Sequence, residues 1–134
     1  MIHPDVILGH SSGEIMALEA AGAVKLHGEE ERRKYTLEGN KMIQSFFSEK
    51  AIPEANLIAA GGIDHKTSID VAGACEGEVF IAMHNCPHQI VFCAGKEHME
   101  SLERQLRGAG ALCQVLPFSR PYHTPLFEPG RKSL

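Results

Sequence analysis

The chain has 134 residues, a formal net charge of -4, and 43% hydrophobic against 22% charged residues. That length suits one domain, the balance excludes a disordered chain, and the absence of a basic stripe excludes a nucleic-acid binder. No apolar run approaches the roughly 18–20 residues of a membrane span, and no basic segment followed by an apolar stretch marks a secretory leader.

In chain order, Val6-Ile7-Leu8 reads as a short strand running into Gly9-His10-Ser11-Ser12-Gly13 and then into a helix-forming run. A strand, a tight glycine-flanked turn and a helix make a nucleophile elbow, with Ser11 at its tip. Such a turn holds the central residue in a strained backbone conformation, and Gly9 and Gly13 are expected to leave room for strand and helix around it. The first N–H groups of the helix lack intrahelical partners, so the Ser12 N–H is the expected oxyanion donor. An α/β sheet rarely starts with its functional strand, so further sequence is expected upstream.

The elbow helix is predicted over 12–22, ended by Gly22. Gly28-Glu29-Glu30-Glu31 opens a long helix predicted to run to about Lys50, with acidic residues and a lysine placed to suit the helix dipole. Tyr35, Met42 and Phe46, with Ile43 and Phe47 beside them, mark its apolar face. Residues 51–56 read as a linker. From residue 57 the predicted order is strand 57–60, helix 63–74 with Ile69, Val71 and Ala72 inward, strand 79–83, a turn over 85–88, strand 89–94, helix 96–107 with Met99, Leu102 and Leu106 on one face, and strand 111–116. That β-α-β-β-α-β order is a ferredoxin-like unit.

The four cysteines, Cys75, Cys86, Cys93 and Cys113, form no C-x-x-C pair, and three lie in apolar or strand-like surroundings. They read as free thiols of a reducing cytoplasm, which is the expected location. Cys86 with His84 or His88 matches no familiar zinc-finger spacing, and no metal is expected.

Next comes Pro117-Phe118-Ser119-Arg120-Pro121-Tyr122-His123-Thr124-Pro125-Leu126-Phe127-Glu128-Pro129, in which prolines make a stiff, irregular segment around His123. Residues 130–134 read as a frayed tail. Ser11 needs a base, because a neutral hydroxyl is a poor nucleophile. The candidates are His10, His65, His84, His88, His98 and His123, with His3 and His27 weaker. Adjacent side chains at an elbow point apart, which counts against His10. His65 opens a helix and His98 lies on the outer side of another. His123 lies where the chain returns from the ferredoxin-like unit.

These motifs together resemble the malonyl-CoA:acyl-carrier-protein transacylases, in the version built into polyketide and polyunsaturated fatty acid synthases. Gly9-His10-Ser11-Ser12-Gly13-Glu14 is similar to that family's GHSxGE elbow, and Ala21-Gly22-Ala23-Val24 to the turn after its helix. Asn85-Cys86-Pro87 with Val91-Phe92-Cys93-Ala94-Gly95 resembles its subdomain hairpin, and Tyr122 to Pro129 its histidine segment. The resemblance covers nearly the whole chain, which in turn covers about half of such a domain. It implies a partial α/β-hydrolase-like acyltransferase core with an inserted ferredoxin-like (βαββαβ) subdomain. The expected division is 1–56 for the core with elbow and long helix, 57–116 for the subdomain, and 117–134 for the return segment with the histidine.

The resemblance further implies Ser11 as nucleophile, His123 as base and then acid, and Ser12 as one oxyanion donor, with Gly9, His10, Gly13 and Glu14 supporting the elbow. No bound cofactor is implied; acyl-CoA and a phosphopantetheinyl acyl carrier protein are the substrates. A neighbouring ketosynthase domain is the implied partner, with neither nucleic acid nor membrane, and exposed sheet edges would favour pairing of copies. The chain departs from the family in lacking the N-terminal loop that supplies the second oxyanion donor and the elements expected after Glu128. The arginine that pairs with a malonyl carboxylate is replaced by Glu38, or by Thr36 if the register is counted from the serine. Arg120 and Tyr122 differ from the usual selectivity tetrapeptides, and Asn85 is the remaining selectivity candidate. An uncharged acyl group such as acetyl is therefore implied alongside malonyl. Two other readings stay open: an acyl hydrolase that clears stalled chains, and a truncated inactive domain that serves only as an interaction module. The chain alone is expected to acylate weakly or not at all.

Overall fold

The computed structural model describes residues 4–48 and 52–128. It contains two compact units, 1–43 and 44–134. No helix among the described residues is long and apolar enough to cross a membrane.

In the first unit, α1 spans Gly13–Ala20 and α2 begins at Gly28 and runs to Ser48. α1 starts one residue later than predicted and ends on Ala21-Gly22. The Gly22 N–H bonds the Glu19 carbonyl and the Ala23 N–H the Leu18 carbonyl, both at 2.9 Å, with Gly22 at φ 75°. This is a complete Schellman cap, and it needs a residue without a Cβ. The Glu31 carboxylate reaches back to accept the His27 N–H, which satisfies a donor at the start of α2. Glu19 on α1 pairs with Arg32 on α2.

Two expectations fail in this unit. Val6-Ile7-Leu8 is not a strand: no strand among the described residues pairs with it, and Val6 and Leu8 are 72% and 88% exposed. A strand exists only through its ladder, and an apolar run without a neighbour has none. Tyr35 is 49% exposed instead of forming core, and Met42 is half-buried. Two helices alone cannot enclose an apolar stripe; that takes a second layer. Lys50 and the side chains of Ile43, Phe46 and Phe47 lie outside the described residues.

The second unit contains β1 (Asn56–Gly61), α3 (His65–Ala74), β2 (Val79–Cys86), β3 (Gln89–Ala94), α4 (Met99–Gly108) and β4 (Leu112–Val115). The strands form one antiparallel sheet in the order β2-β3-β1-β4. Alternation along the central strands divides the core in two. Ile58, Ala60, Ile90, Phe92 and Ala94 face α3 and α4, where Val71, Met99, Leu102 and Leu106 complete the cluster. Leu57, Val91 and Cys93 point to the opposite face, joined by Ala55, Phe80 and Tyr122.

α3 is capped by Asp64, whose carboxylate accepts the Thr67 N–H at 2.8 Å. This bond holds the Asp64 pKa below the usual carboxylate range. α3 turns Ser68, Val71, Ala72 and Cys75 inward, and Ile69, predicted inward, is 52% exposed. The inward set follows i, i+3, i+4, i+7 from Ser68, and Ile69 lies a hundred degrees around from it. α4 ends in a second Schellman cap on Gly110, and its Leu106 and Ala111 ends are both buried.

β2 runs three residues past its predicted end, through Asn85 and Cys86, leaving Pro87-His88 as a two-residue loop. Register shifts occur between Ile81 and Met83 and between His84 and Cys86. Such bulges let the strand continue while bending its edge, which resists addition of a further strand. Residues 52–55, predicted as a linker, bury Ile52 and Ala55. All four cysteines are free; Cys86 is exposed, whereas burial pushes the Cys93 thiol up to about 11.

Candidate active site

The predicted elbow falls on residues 9–14 of the first unit, where the described backbone is a turn running into α1 with no strand assigned before it. The Gly13 N–H bonds the His10 carbonyl at 3.0 Å and the Glu14 N–H bonds the Ser11 carbonyl at 3.1 Å. These two bonds wrap the chain tightly into α1. A Cβ on Gly9 would fall 2.6 Å from the Glu14 Cα, so only glycine fits there. Gly13 differs: a Cβ there would meet nothing within 4 Å. The close approach is therefore one-sided, with Gly9 as its smooth face and the Gly13-Glu14 backbone as the surface it meets. This corrects the expectation that both glycines make room.

Ser11 lies at φ 55°, a region that costs an L-residue about 1–2 kcal/mol. Its side chain sits at an exposed tip. Ser12 follows at φ -61°, ψ -22°, already helical, so its N–H opens the α1 dipole. Among the described residues no backbone acceptor bonds the Ser12 N–H. Glu14 is the acidic residue of the first turn.

His123 lies in the second unit, in the segment after β4. This segment is anchored at several points to the sheet face opposite the helices. The Leu116 N–H bonds the Leu57 carbonyl at 2.8 Å, and the Ala55 N–H bonds the Ser119 carbonyl at 3.3 Å. Pro121 is fully buried. Tyr122 packs edge-on to Phe118, ring centroids 6.3 Å apart, and against Phe127 at 5.5 Å. The Thr124 N–H and hydroxyl both bond the Pro121 carbonyl, at 3.3 and 2.7 Å. This closes a turn over Pro121-Tyr122-His123-Thr124. His123 is its third residue, at φ 61°, the position where type II turns demand positive φ. The His123 side chain is exposed.

The remaining candidates are spread out. Thr36 and Glu38 are exposed on α2; the Thr36 hydroxyl bonds the Arg32 carbonyl at 3.0 Å, and Glu38 lies 4.0 Å from Lys34. Asn85 sits at the second bulge of β2, its amide donating to the Gln89 side chain at 3.1 Å. Arg120 and Tyr122 flank the buried Pro121. Of the other histidines, His65 and His84 stack with centroids 4.9 Å apart and planes 7° from parallel. Among the described residues no group of three or more His, Cys, Asp or Glu side chains could hold a metal ion. Tyr122 was marked in the sequence as a selectivity candidate; the turn-closing role of Thr124 and the packing of Tyr122 against Phe118 and Phe127 were not. The available signal was a threonine three residues after a proline, the spacing at which a hydroxyl can close a turn.

No protein-family model matches the chain. It is 32% identical over 139 residues to the malonyl CoA-acyl carrier protein transacylase of Haemophilus influenzae, covering 99% of this chain and 42% of that protein. It is 30% identical over 132 residues to a reducing polyketide synthase of Cochliobolus heterostrophus, covering 96% of this chain and 6% of that protein. Its fold matches a malonyl-transacylase solved in complex with a type II polyketide synthase acyl-carrier protein. That match has TM-score 0.69 and 27% identity, over 98% of this chain and 42% of the other. The homologues of this chain are malonyl-CoA:acyl-carrier-protein transacylases and polyketide synthase acyltransferase domains. The chain spans less than half the length of each relative named here.

Proposed function

We propose that this chain is part of an acyltransferase that moves an acyl group from acyl-CoA, through an acyl-Ser11 intermediate, to the phosphopantetheine thiol of an acyl carrier protein. The observation that carries the reading is Ser11 at positive φ on a turn tightened by Gly9, in a chain whose homologues are transacylases. In this reading His123 takes the Ser11 proton as Oγ bonds the thioester carbonyl carbon. The Ser12 N–H stabilises the resulting oxyanion. When the carbon–sulfur bond breaks, the proton passes from His123 to the departing thiol. The second half-reaction reverses these steps with the carrier thiol. His10 and Glu14 complete the elbow.

The βαββαβ order and the β2-β3-β1-β4 sheet support reading 57–116 as a ferredoxin-like subdomain inserted in an α/β-hydrolase-like core, with 1–56 and 117–134 belonging to that core. A reducing cytoplasm suits four free thiols. Neither Thr36 nor Glu38 offers the bidentate cation that would pair with a malonate carboxylate, which favours an uncharged acyl group. Asn85, Arg120 and Tyr122 are the further selectivity candidates.

The test is intact-mass analysis of the chain after incubation with acetyl-CoA and malonyl-CoA, then with a holo carrier protein. Slow acylation, faster with acetyl-CoA and lost in Ser11→Ala, is expected, followed by a loaded carrier. Free acid in place of loaded carrier means hydrolysis. An adduct that persists in Ser11→Ala overturns Ser11 as the nucleophile, acylation lost in Ser11→Ala excludes a non-catalytic module, and rapid stoichiometric acylation overturns the expectation that the chain alone labels weakly or not at all.

A further inference from the structure

The His123 segment encloses one polar side chain to which the chemistry above gives no role. Thr124 is 7% exposed, and it and Ser68 are the buried polar residues among those described. The Ser68 hydroxyl is spent inside α3, bonded to the Asp64 carbonyl at 2.8 Å. The Thr124 hydroxyl instead spans the turn that carries His123, ending 2.7 Å from the Pro121 carbonyl oxygen that also accepts the Thr124 N–H. Two donors from one residue thus converge on one acceptor. The acceptor belongs to a residue whose ring is fully buried. Burial also keeps the hydroxyl from exchanging this partner for bulk water, so leaving it unmade is costly.

We propose that Thr124 is a positioning residue: its hydroxyl, clamped to the Pro121 carbonyl, holds His123 in the left-handed turn and so aims the imidazole. The proposal rests on the reading of His123 as the base. A backbone N–H bond alone at 3.3 Å is long, whereas the hydroxyl bond at 2.7 Å is at the best O–H···O distance. The side-chain bond is therefore the stronger closure of a turn whose third position disfavours histidine. Threonine also fills its buried site with a methyl group, so serine preserves the clamp and valine preserves the shape.

The test uses Thr124→Val and Thr124→Ser in the full chain. Backbone chemical shifts of His123 are expected to leave the left-handed range in Thr124→Val and to remain there in Thr124→Ser. The rate of Ser11 acylation is expected to fall on the order of tenfold in Thr124→Val, the equivalent of one hydrogen bond, and to recover to within about threefold in Thr124→Ser. Unchanged His123 shifts in a folded Thr124→Val overturn the clamp. Should Thr124→Val fold poorly, the loss in Tm it causes is compared in the native and His123→Gly backgrounds. Glycine relieves the turn, so the loss is expected to shrink there; equal losses overturn the proposal. If His123→Ala acylates as fast as the native chain, the assignment of the base fails, while the shifts and the Tm comparison still decide the clamp.

Discussion

Ser11 and His123 share a backbone state: at φ 55° and 61° they are the non-glycine residues in the left-handed region among those described. Each is held there by local bonds that leave little alternative. For Ser11 these are the two turn bonds into α1 and the Gly9 contact. For His123 they are the two bonds to the Pro121 carbonyl. Residues in this region cost of order 1–3 kcal/mol and persist only where their surroundings over-determine them, which is a common condition at reactive sites.

The strain at Ser11 predicts opposite effects on stability and chemistry. Ser11→Gly is expected to stabilise the fold by about 0.5 kcal/mol, the relief of positive φ less the added chain entropy of glycine. Ser11→Val, β-branched and intolerant of positive φ, is expected to cost about 2 kcal/mol. Both are expected to abolish acylation. Urea midpoints check the order Gly above Ser above Val, and a Gly variant less stable than the native chain would contradict the assigned strain.

The two glycines of the elbow should behave differently. Gly9→Ala pushes a methyl group into the Glu14 backbone, which cannot swing aside, and is expected to cost about 3 kcal/mol and to remove acylation. Gly13→Ala adds a methyl group in open space at the first position of a helix, and is expected to be neutral or to gain up to about 1 kcal/mol. Similar losses in the two variants would mean that the approach is two-sided.

Asp64 makes stability depend on pH at the acid end. Its folded pKa is lowered from 3.8 chiefly by the Thr67 N–H bond to its carboxylate. Its contribution is therefore complete above the unfolded pKa and is lost as pH falls through the folded value. Asn at this position keeps a side-chain oxygen for the Thr67 N–H but does not titrate. Thermal melts from pH 6 to pH 2 are expected to show a smaller acid-side drop in Tm for Asp64→Asn than for the native chain. Identical profiles would remove Asp64 as a source of the pH dependence.

What the sequence determined by itself was local and periodic. The helix cap at Gly22, the inward face of α4, and the β-α-β-β-α-β order from residue 57 all follow from glycine placement and apolar spacing, which act over one turn or one strand. The turn into α1 was legible for the same reason: Gly-His-Ser-Ser-Gly before a helix is a short-range pattern. Tertiary structure decided what needs a neighbour. Among the described residues Val6-Ile7-Leu8 has the composition of a strand and no ladder, Tyr35 has helical spacing and no facing layer, and Ile69 is apolar but lies off the face that Ser68, Val71 and Ala72 turn inward. β2 runs on through Asn85 because bulges against β3 absorb the mismatch. The turn around His123 shows the division most clearly. Prolines announced a rigid segment, but only burial of Pro121 and Thr124 against the sheet makes one carbonyl the fixed point on which the histidine is held.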